Sequence, residues 1–331
     1  MGSGIEGPSR RWLTGAMLAA GAWPAGALPT AAGAQGLVRH GGGSLLPPEP
    51  GSPEADYVPP TSIAMIADIY RRMTASVRVN GRGPYPFVVD TGANQSVLAS
   101  ELAAQIGLTI GPVEALHGVA GVQMTATTTA DLTIGGRVQQ NAPLSLLPAA
   151  AIGGMGLLGL DRLESQRVTL DFKRRSLRIE PSRGAYHDPD DRVLKATKRD
   201  GQLTLVDADV AGIPVTAFID SGAQSTIGNR ALQKYALSLY PGTTTAKTVV
   251  LSATGQTAPA EMAELARLRV GGLVLPNWPV AFADLHTFQL WRLVDKPAIL
   301  LGVDILSRFE YVALDFPRDE VRFRLPGRGY N

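Results

Sequence analysis

Tyr85-Pro86-Phe87-Val88-Val89-Asp90-Thr91-Gly92-Ala93 and Val215-Thr216-Ala217-Phe218-Ile219-Asp220-Ser221-Gly222-Ala223 say the same thing twice. In each, an apolar strand runs into Asp, a hydroxyl residue, Gly and Ala. Upstream, each copy has an alternating segment closed by a Gly turn: Ser76-Val77-Arg78-Val79-Asn80-Gly81 in one half, Asp207-Ala208-Asp209-Val210-Ala211-Gly212 in the other. Alternation that ends in a turn signal predicts a half-buried strand, and the continuous apolar run predicts a fully buried one. Downstream the repetition continues. A helix is predicted over 97–106 and again over 229–236, Leu157-Leu158-Gly159-Leu160-Asp161 matches Leu300-Leu301-Gly302-Val303-Asp304, and Val168-Thr169-Leu170-Asp171-Phe172 matches Val312-Ala313-Leu314-Asp315-Phe316.

A repeat of this length means two related domains. Asp and the later Gly lie 69 residues apart in the first half and 82 in the second. The excess falls around Leu285 to Pro297 and reads as a surface insertion. The fold expected is all-β with short helices: two related β-barrel lobes, with residues 63–183 forming the first, 184–200 a polar linker and 201–331 the second. Related lobes placed about a two-fold axis bring equivalent residues together at that axis. One Asp per lobe then becomes a pair of carboxylates in the cleft.

Composition narrows the chemistry. The 331 residues include no Cys, which removes disulfides, thiol catalysis and cysteine-bearing zinc sites together. The four His residues, at 40, 117, 187 and 286, show no close pair of metal-ligand spacing. Lys and Arg number 31 against 29 Asp and Glu, a balance without the footprint of a nucleic-acid partner. No metal or cofactor is expected. Hydroxyls and carboxylates are left to do the work.

The N-terminus reads as an address. Ser9-Arg10-Arg11-Trp12-Leu13 opens a mildly apolar run that ends in the small-residue site Ala32-Gly33-Ala34. Residues 1–34 therefore read as an export signal resembling the twin-arginine class, and the protein is expected to be periplasmic or secreted. Residues 35–62, with Gly41-Gly42-Gly43, Pro47-Pro48 and Pro59-Pro60, read as a flexible leader.

The doubled Asp-(Thr/Ser)-Gly-Ala motif, each copy with its later Leu-Gly, resembles the retropepsin-like aspartic peptidases. The tandem copy in one chain is similar to the two-lobed pepsin arrangement, so a single chain would serve as a pseudo-dimer. The resemblance spans about residues 74–325 and implies an aspartic endopeptidase acting on protein or peptide substrates. It implies that Asp90 and Asp220 are the catalytic dyad, sharing one proton because two adjacent carboxylates do not both ionise. Thr91 and Ser221 would lock the two loops together. Gly92 and Gly222 would let backbone N–H groups approach the carboxylates. Ala93 and Ala223 stand where pepsins carry Ser or Thr, so one hydrogen bond to the carboxylates is missing and the working pH moves to mild acid.

By the same resemblance, Leu116-His117-Gly118-Val119-Ala120-Gly121 and Leu251-Ser252-Ala253-Thr254-Gly255-Gln256 are two flaps over the cleft. His117, Gly118, Gly121, Thr254 and Gly255 would then meet substrate. Neither tip has the Tyr of the single pepsin flap, which favours the retropepsin pattern; the other reading is two ordinary surface hairpins with His117 a polar turn residue. Gly159 and Gly302 imply packing, while Asp161 and Asp304 read as helix N-caps. Trp278, Phe288 and Trp291 are candidates for lining the substrate pockets. Two further functions stay open on the residues alone: a peptide-binding module that kept the cleft without turnover, and carboxylate-pair chemistry on sugars.

Overall fold

The computed structural model describes residues 73–327 except 135–136, 163–165, 175, 183–187, 200–201 and 206–207, together with 12–13 and 16–19. Most of the expected signal and leader, and residues 63–72, lie outside the described residues. The chain is mainly β and forms two lobes, as the repeat implies.

In the first lobe the strand order is Val113–Gly118, Gly121–Ile134, Thr74–Val79, Arg82–Val89, Gly156–Leu158, Val97–Ala99, Arg137–Leu147, and Gly121–Ile134 pairs back onto Arg137–Leu147 to close the sheet. The two apolar runs of the motif lie side by side at its centre: Phe87, Val88 and Val89 pair in parallel with Gly156, Leu157 and Leu158, and all six are buried. A parallel pair enclosed on both faces demands such uninterrupted apolar sequence. By contrast Thr74–Val79 alternates, with Val77 and Val79 inside and Arg78 outside.

The second lobe repeats this arrangement. Thr216–Ile219 pairs in parallel with Ala298–Leu301, and Ile227–Gly228 in parallel with Leu273–Phe282, matching Val97–Ala99 on Arg137–Leu147. The helix expected at 229–236 runs Arg230–Leu239, and the Asn229 side chain caps it by accepting from the Leu232 N–H at 2.9 Å. The helix expected at 97–106 is shorter. Val97–Ala99 is drawn into the sheet by pairing with Ser145–Leu147, leaving Ser100–Gln105 helical. Here tertiary pairing wins over local helical periodicity.

The lobes share a sheet. Gln166–Asp171 pairs antiparallel with Tyr311–Asp315, matching Val168 with Leu314, Thr169 with Ala313 and Leu170 with Val312. The repeated segments thus face each other about a two-fold centre at Thr169 and Ala313. Ser176–Pro181 and Glu320–Arg324 extend the sheet on either side. Asp171 and Asp315 serve it structurally: Asp171 accepts the Arg174 N–H at 2.7 Å, and Asp315 takes Arg167 Nε and Nη2 at 2.9 and 2.7 Å. Two expectations need correction. Much of the linker at 184–200 is a strand, Asp191–Arg199, bound between Glu320–Arg324 and Gln202–Leu205. Nor is the insertion at 285–297 superficial. Leu285, Phe288, Trp291 and Leu293 are buried, and Trp291 stacks on Phe218 with centroids 3.9 Å apart. Its apolar residues were the available signal, since five large hydrophobes in the nine residues 285–293 are costly to leave in water. Among the described residues no helix is long and apolar enough to cross a membrane.

Candidate active site

Each motif Asp leaves its central strand at the face where the lobes meet, and both are fully buried. The backbone fixes them alike. Asp90 N–H donates to the Leu158 carbonyl at 3.0 Å, and Asp220 N–H to the Leu301 carbonyl at 3.1 Å. The Gly N–H two residues on then donates to the Asp Oδ1, at 2.8 Å from Gly92 and 2.9 Å from Gly222. Ala223 N–H adds a 3.0 Å bond to Asp220.

The hydroxyls of Thr91 and Ser221 are exchanged between lobes. Ser221 N–H donates to Thr91 Oγ1 at 3.0 Å and Thr91 N–H to Ser221 Oγ at 3.1 Å. Each hydroxyl donates onward to the carbonyl preceding the opposite Asp, Thr91 to Ile219 and Ser221 to Val89, both at 2.8 Å. Four buried backbone groups on two lobes are satisfied by two side chains, which leaves neither loop free to withdraw alone.

The loops then approach until only glycine fits. A Cβ on Gly222 would lie 2.3 Å from Asp90 Cγ, so the Asp90 carboxyl rests against the loop that carries Asp220. Burial, and then the negative charge of Asp90 beside it, pushes the Asp220 carboxyl well above the ordinary carboxylate range. Such a pair holds a proton at pH values where isolated Asp has lost it.

Behind each loop lies a brace that sequence reading missed. Ser96 and Thr226 both stand six residues after their Asp. Ser96 Oγ accepts the Gly159 N–H at 3.0 Å, and Thr226 Oγ1 the Gly302 N–H at 3.1 Å. Each hydroxyl donates in turn to a carboxylate, Ser96 to Asp161 at 2.9 Å and Thr226 to Asp304 at 2.8 Å. Asp161 and Asp304 are therefore braces and not the N-caps expected: Gly302 occupies the cap position of Val303–Leu306, with no side-chain bond. Gly159 and Gly302 pack as anticipated, since a Cβ on either would come within 2.6 Å of the backbone carbonyl carbon of Gln95 or Ser225. The matching hydroxyl at the sixth position was the available signal.

Each lobe contributes one long hairpin. Val113–Gly118 and Gly121–Ile134 form one, Ala246–Ser252 and Thr257–Val270 the other. Their tips meet: Gly118 sits where a Cβ would lie 2.6 Å from Thr254 Oγ1 and 2.8 Å from Ser252 Oγ, and Gln256 Nε2 donates to the Val122 carbonyl at 2.9 Å. Gly121 and Gly255 turn the tips at φ of +147° and +81°. The first tip also enters the second lobe. Val119 is buried in the apolar cluster of Phe218, Val250, Leu285 and Phe288, and its carbonyl accepts the His286 N–H at 2.8 Å. His117 is half-buried, its ring bonded to that of His286. The insertion therefore acts as a seat for the first hairpin. Phe288 and Trp291 are buried in that seat, and the Trp278 Nε1 donates to Asp304 Oδ2 at 3.4 Å under the Arg308 guanidinium.

Comparison with known families agrees with this geometry. Residues 75–165 match the family described as gag-polyprotein putative aspartyl protease, and residues 206–305 match the aspartyl protease family. No curated protein matches the chain. One match falls on each lobe, and each contains one Asp-(Thr/Ser)-Gly-Ala loop with its later Gly. With two such domains in tandem on a shared sheet, the chain belongs to the two-lobed, retropepsin-like aspartic peptidase family.

Proposed function

We propose that the protein is an aspartic endopeptidase whose catalytic pair is Asp90 and Asp220. The observation that carries this reading is the position of the Asp90 carboxyl against Gly222, where its charge raises the proton affinity of Asp220. A pair holding one proton has a base and an acid in the same place. The ionised carboxylate takes a proton from water as its oxygen attacks the peptide carbonyl carbon. The protonated one donates to the carbonyl oxygen, giving a tetrahedral diol. Collapse breaks the C–N bond as a proton passes to the leaving nitrogen. The N–H groups of Gly92, Gly222 and Ala223 hold the inner carboxylate oxygens, so no reorganisation is needed during the reaction. The two hairpins act as flaps that close over an extended peptide and exclude water.

The full chain, incubated with a mixed peptide library from about pH 3 to 7, tests this, with cut sites read by mass spectrometry. Cleavage by the parent and none by Asp90→Asn or Asp220→Asn is expected. Intact peptides throughout, from a folded parent, would leave the peptide-binding module as the better reading. Export to the periplasm or medium is part of the proposal and rests on Ser9-Arg10-Arg11-Trp12-Leu13 and Ala32-Gly33-Ala34. Fractionation of cells expressing the chain, with and without Arg10→Lys/Arg11→Lys, tests it.

A further inference from the structure

The sheet that joins the lobes has two unlike faces. On one, Val168, Leu170, Val312, Leu314, Val321 and Phe323 are buried in the core. The other carries charge, and the strand registers arrange it in rows. In the middle row Arg178, Thr169, Ala313 and Arg322 stand side by side. Each arginine comes ten residues after the repeated Val168 or Val312, so each lobe supplies one, with only small residues between them at the two-fold centre. A cavity of about 540 Å³ opens over this row and reaches Asp171, Asp191 and Arg324 in the next. Neither Asp90 nor Asp220 lines it.

The charges of this face are sorted by sign. On one side of the middle row Glu320 takes Lys195 at 3.0 Å, Arg318 at 3.2 Å and Arg322 at 3.3 Å, three cations on one carboxylate. Burial alone would raise the Glu320 carboxyl, but hydrogen bonds from Lys195 and Arg318 hold it at about 2, so it stays ionised and positive charge is still left over. On the other side the surplus is negative. Arg324 is met by Asp188, by Asp191 at 2.7 Å and by Asp190 at 3.5 Å, three carboxylates on one guanidinium. Arg324 and the Tyr311 hydroxyl both donate to Asp191 Oδ1, which leaves Asp191 Oδ2 buried with no donor among the described residues. That side chain is 1% exposed and lines the cavity. A buried carboxylate oxygen without a donor is costly, and what it lacks is an N–H group.

We propose that this cavity is a binding site for a zwitterion the size of a dipeptide, its carboxylate held between Arg178 and Arg322 over Thr169 and Ala313, and its ammonium group at Asp191. Guanidinium groups suit a carboxylate because they donate in pairs. Length decides the class of ligand. The two rows lie two residues apart along the strands, about 7 Å, and two residues of extended chain span at most about 7 Å. A free amino acid is too short to reach both rows, and a simple anion leaves the Asp191 oxygen without its donor. The occupant is gripped by both lobes across the sheet that joins them. Binding here requires no turnover, so it stands independently of the peptidase reading.

Glycylglycine is the probe, used at about pH 7, where both of its termini are charged. Titration calorimetry on the full chain carrying Asp90→Asn, which silences the proposed turnover, is expected to show one-to-one binding with a Kd of about 1 mM or tighter. Two isosteres separate the charges. N-acetylglycine keeps the carboxylate and lacks the ammonium group, while glycylglycinamide keeps the ammonium group and lacks the carboxylate. Each is expected to bind at least about tenfold more weakly, since each forfeits one set of charged hydrogen bonds. Arg178 is exposed, so Arg178→Gln leaves the core untouched. It should weaken glycylglycine about tenfold and leave glycylglycinamide unchanged, a pattern that a peptide bound at the two Asp residues would not give. A Kd for glycylglycine weaker than about 1 mM, equal affinities for the three probes, or no effect of Arg178→Gln would each overturn the proposal.

Discussion

His117 Nδ1 lies 3.0 Å from His286 Nε2, with the two rings 8° from parallel, so the first hairpin is tied to the opposite lobe by a hydrogen bond between imidazoles. His286 also donates its backbone N–H to Val119, so the same residue grips the hairpin twice. The ring contact is removable without the backbone one. His117→Ala and His286→Ala should each weaken the anchoring of the hairpin tip by about 1 kcal/mol, the net value of one such bond, which is roughly fivefold faster amide exchange at residues 118–122. The double variant should be no faster than either single, because both delete one contact. Additive effects in the exchange measurement would mean the rings act independently.

The exchanged hydroxyls of Thr91 and Ser221 should carry much of the stability of the junction. Thr91→Val keeps the volume but leaves the Ser221 N–H and the Ile219 carbonyl without their partner. The expected loss is about 2–4 kcal/mol by denaturant unfolding, as two buried backbone groups lose their bonds. Thr91→Ser restores the hydroxyl and should recover most of it. Equal losses in both variants would point to the methyl group instead.

Gly222 and Gly242 make a controlled pair. Both have ordinary backbone geometry, but a Cβ at Gly222 meets the Asp90 carboxyl at 2.3 Å, whereas at Gly242 it meets nothing within 4 Å. Gly222→Ala should abolish peptide cleavage by displacing Asp90. Gly242→Ala should leave cleavage intact and leave stability unchanged or raised by up to about 1 kcal/mol, because Ala restricts the unfolded chain. A fully active Gly222→Ala variant would show that the carboxyl has room to move.

Repetition made the two lobes and their paired Asp residues legible in the sequence, since Asp90 and Asp220 follow buried apolar strands whose pattern is local. Contacts that cross the axis left weaker traces. Ser96 and Thr226 are hydroxyls among many hydroxyls, and only their equal spacing from the two Asp residues distinguishes them. The strand at 191–199 is polar because much of its surface faces water, so its composition resembles a linker; pairing with Glu320–Arg324 makes it a strand. The seat for Val119 was hidden differently. Nothing near His117 in sequence identifies His286, 169 residues away, as its partner.

Acid–base behaviour offers a check that needs no substrate. The Asp220 proton affinity is raised in the folded protein, chiefly by burial and then by Asp90, above the ordinary value near 3.8. The native state therefore binds more protons than the unfolded state between that value and the raised one, and stability must fall as pH rises through this window. Below about pH 3 both states are protonated and nothing is lost. Asp220→Asn keeps the shape without the ionisation and relieves the repulsion on Asp90. The variant should match the parent in denaturant midpoint at about pH 3 and become progressively more stable than it towards neutrality, by ~1.4 kcal/mol for each tenfold rise in native proton affinity. A parent whose stability rises as steeply as the variant's above pH 4 would mean that both carboxyls ionise freely, and the two loops would then lack the shared proton on which the proposed chemistry depends.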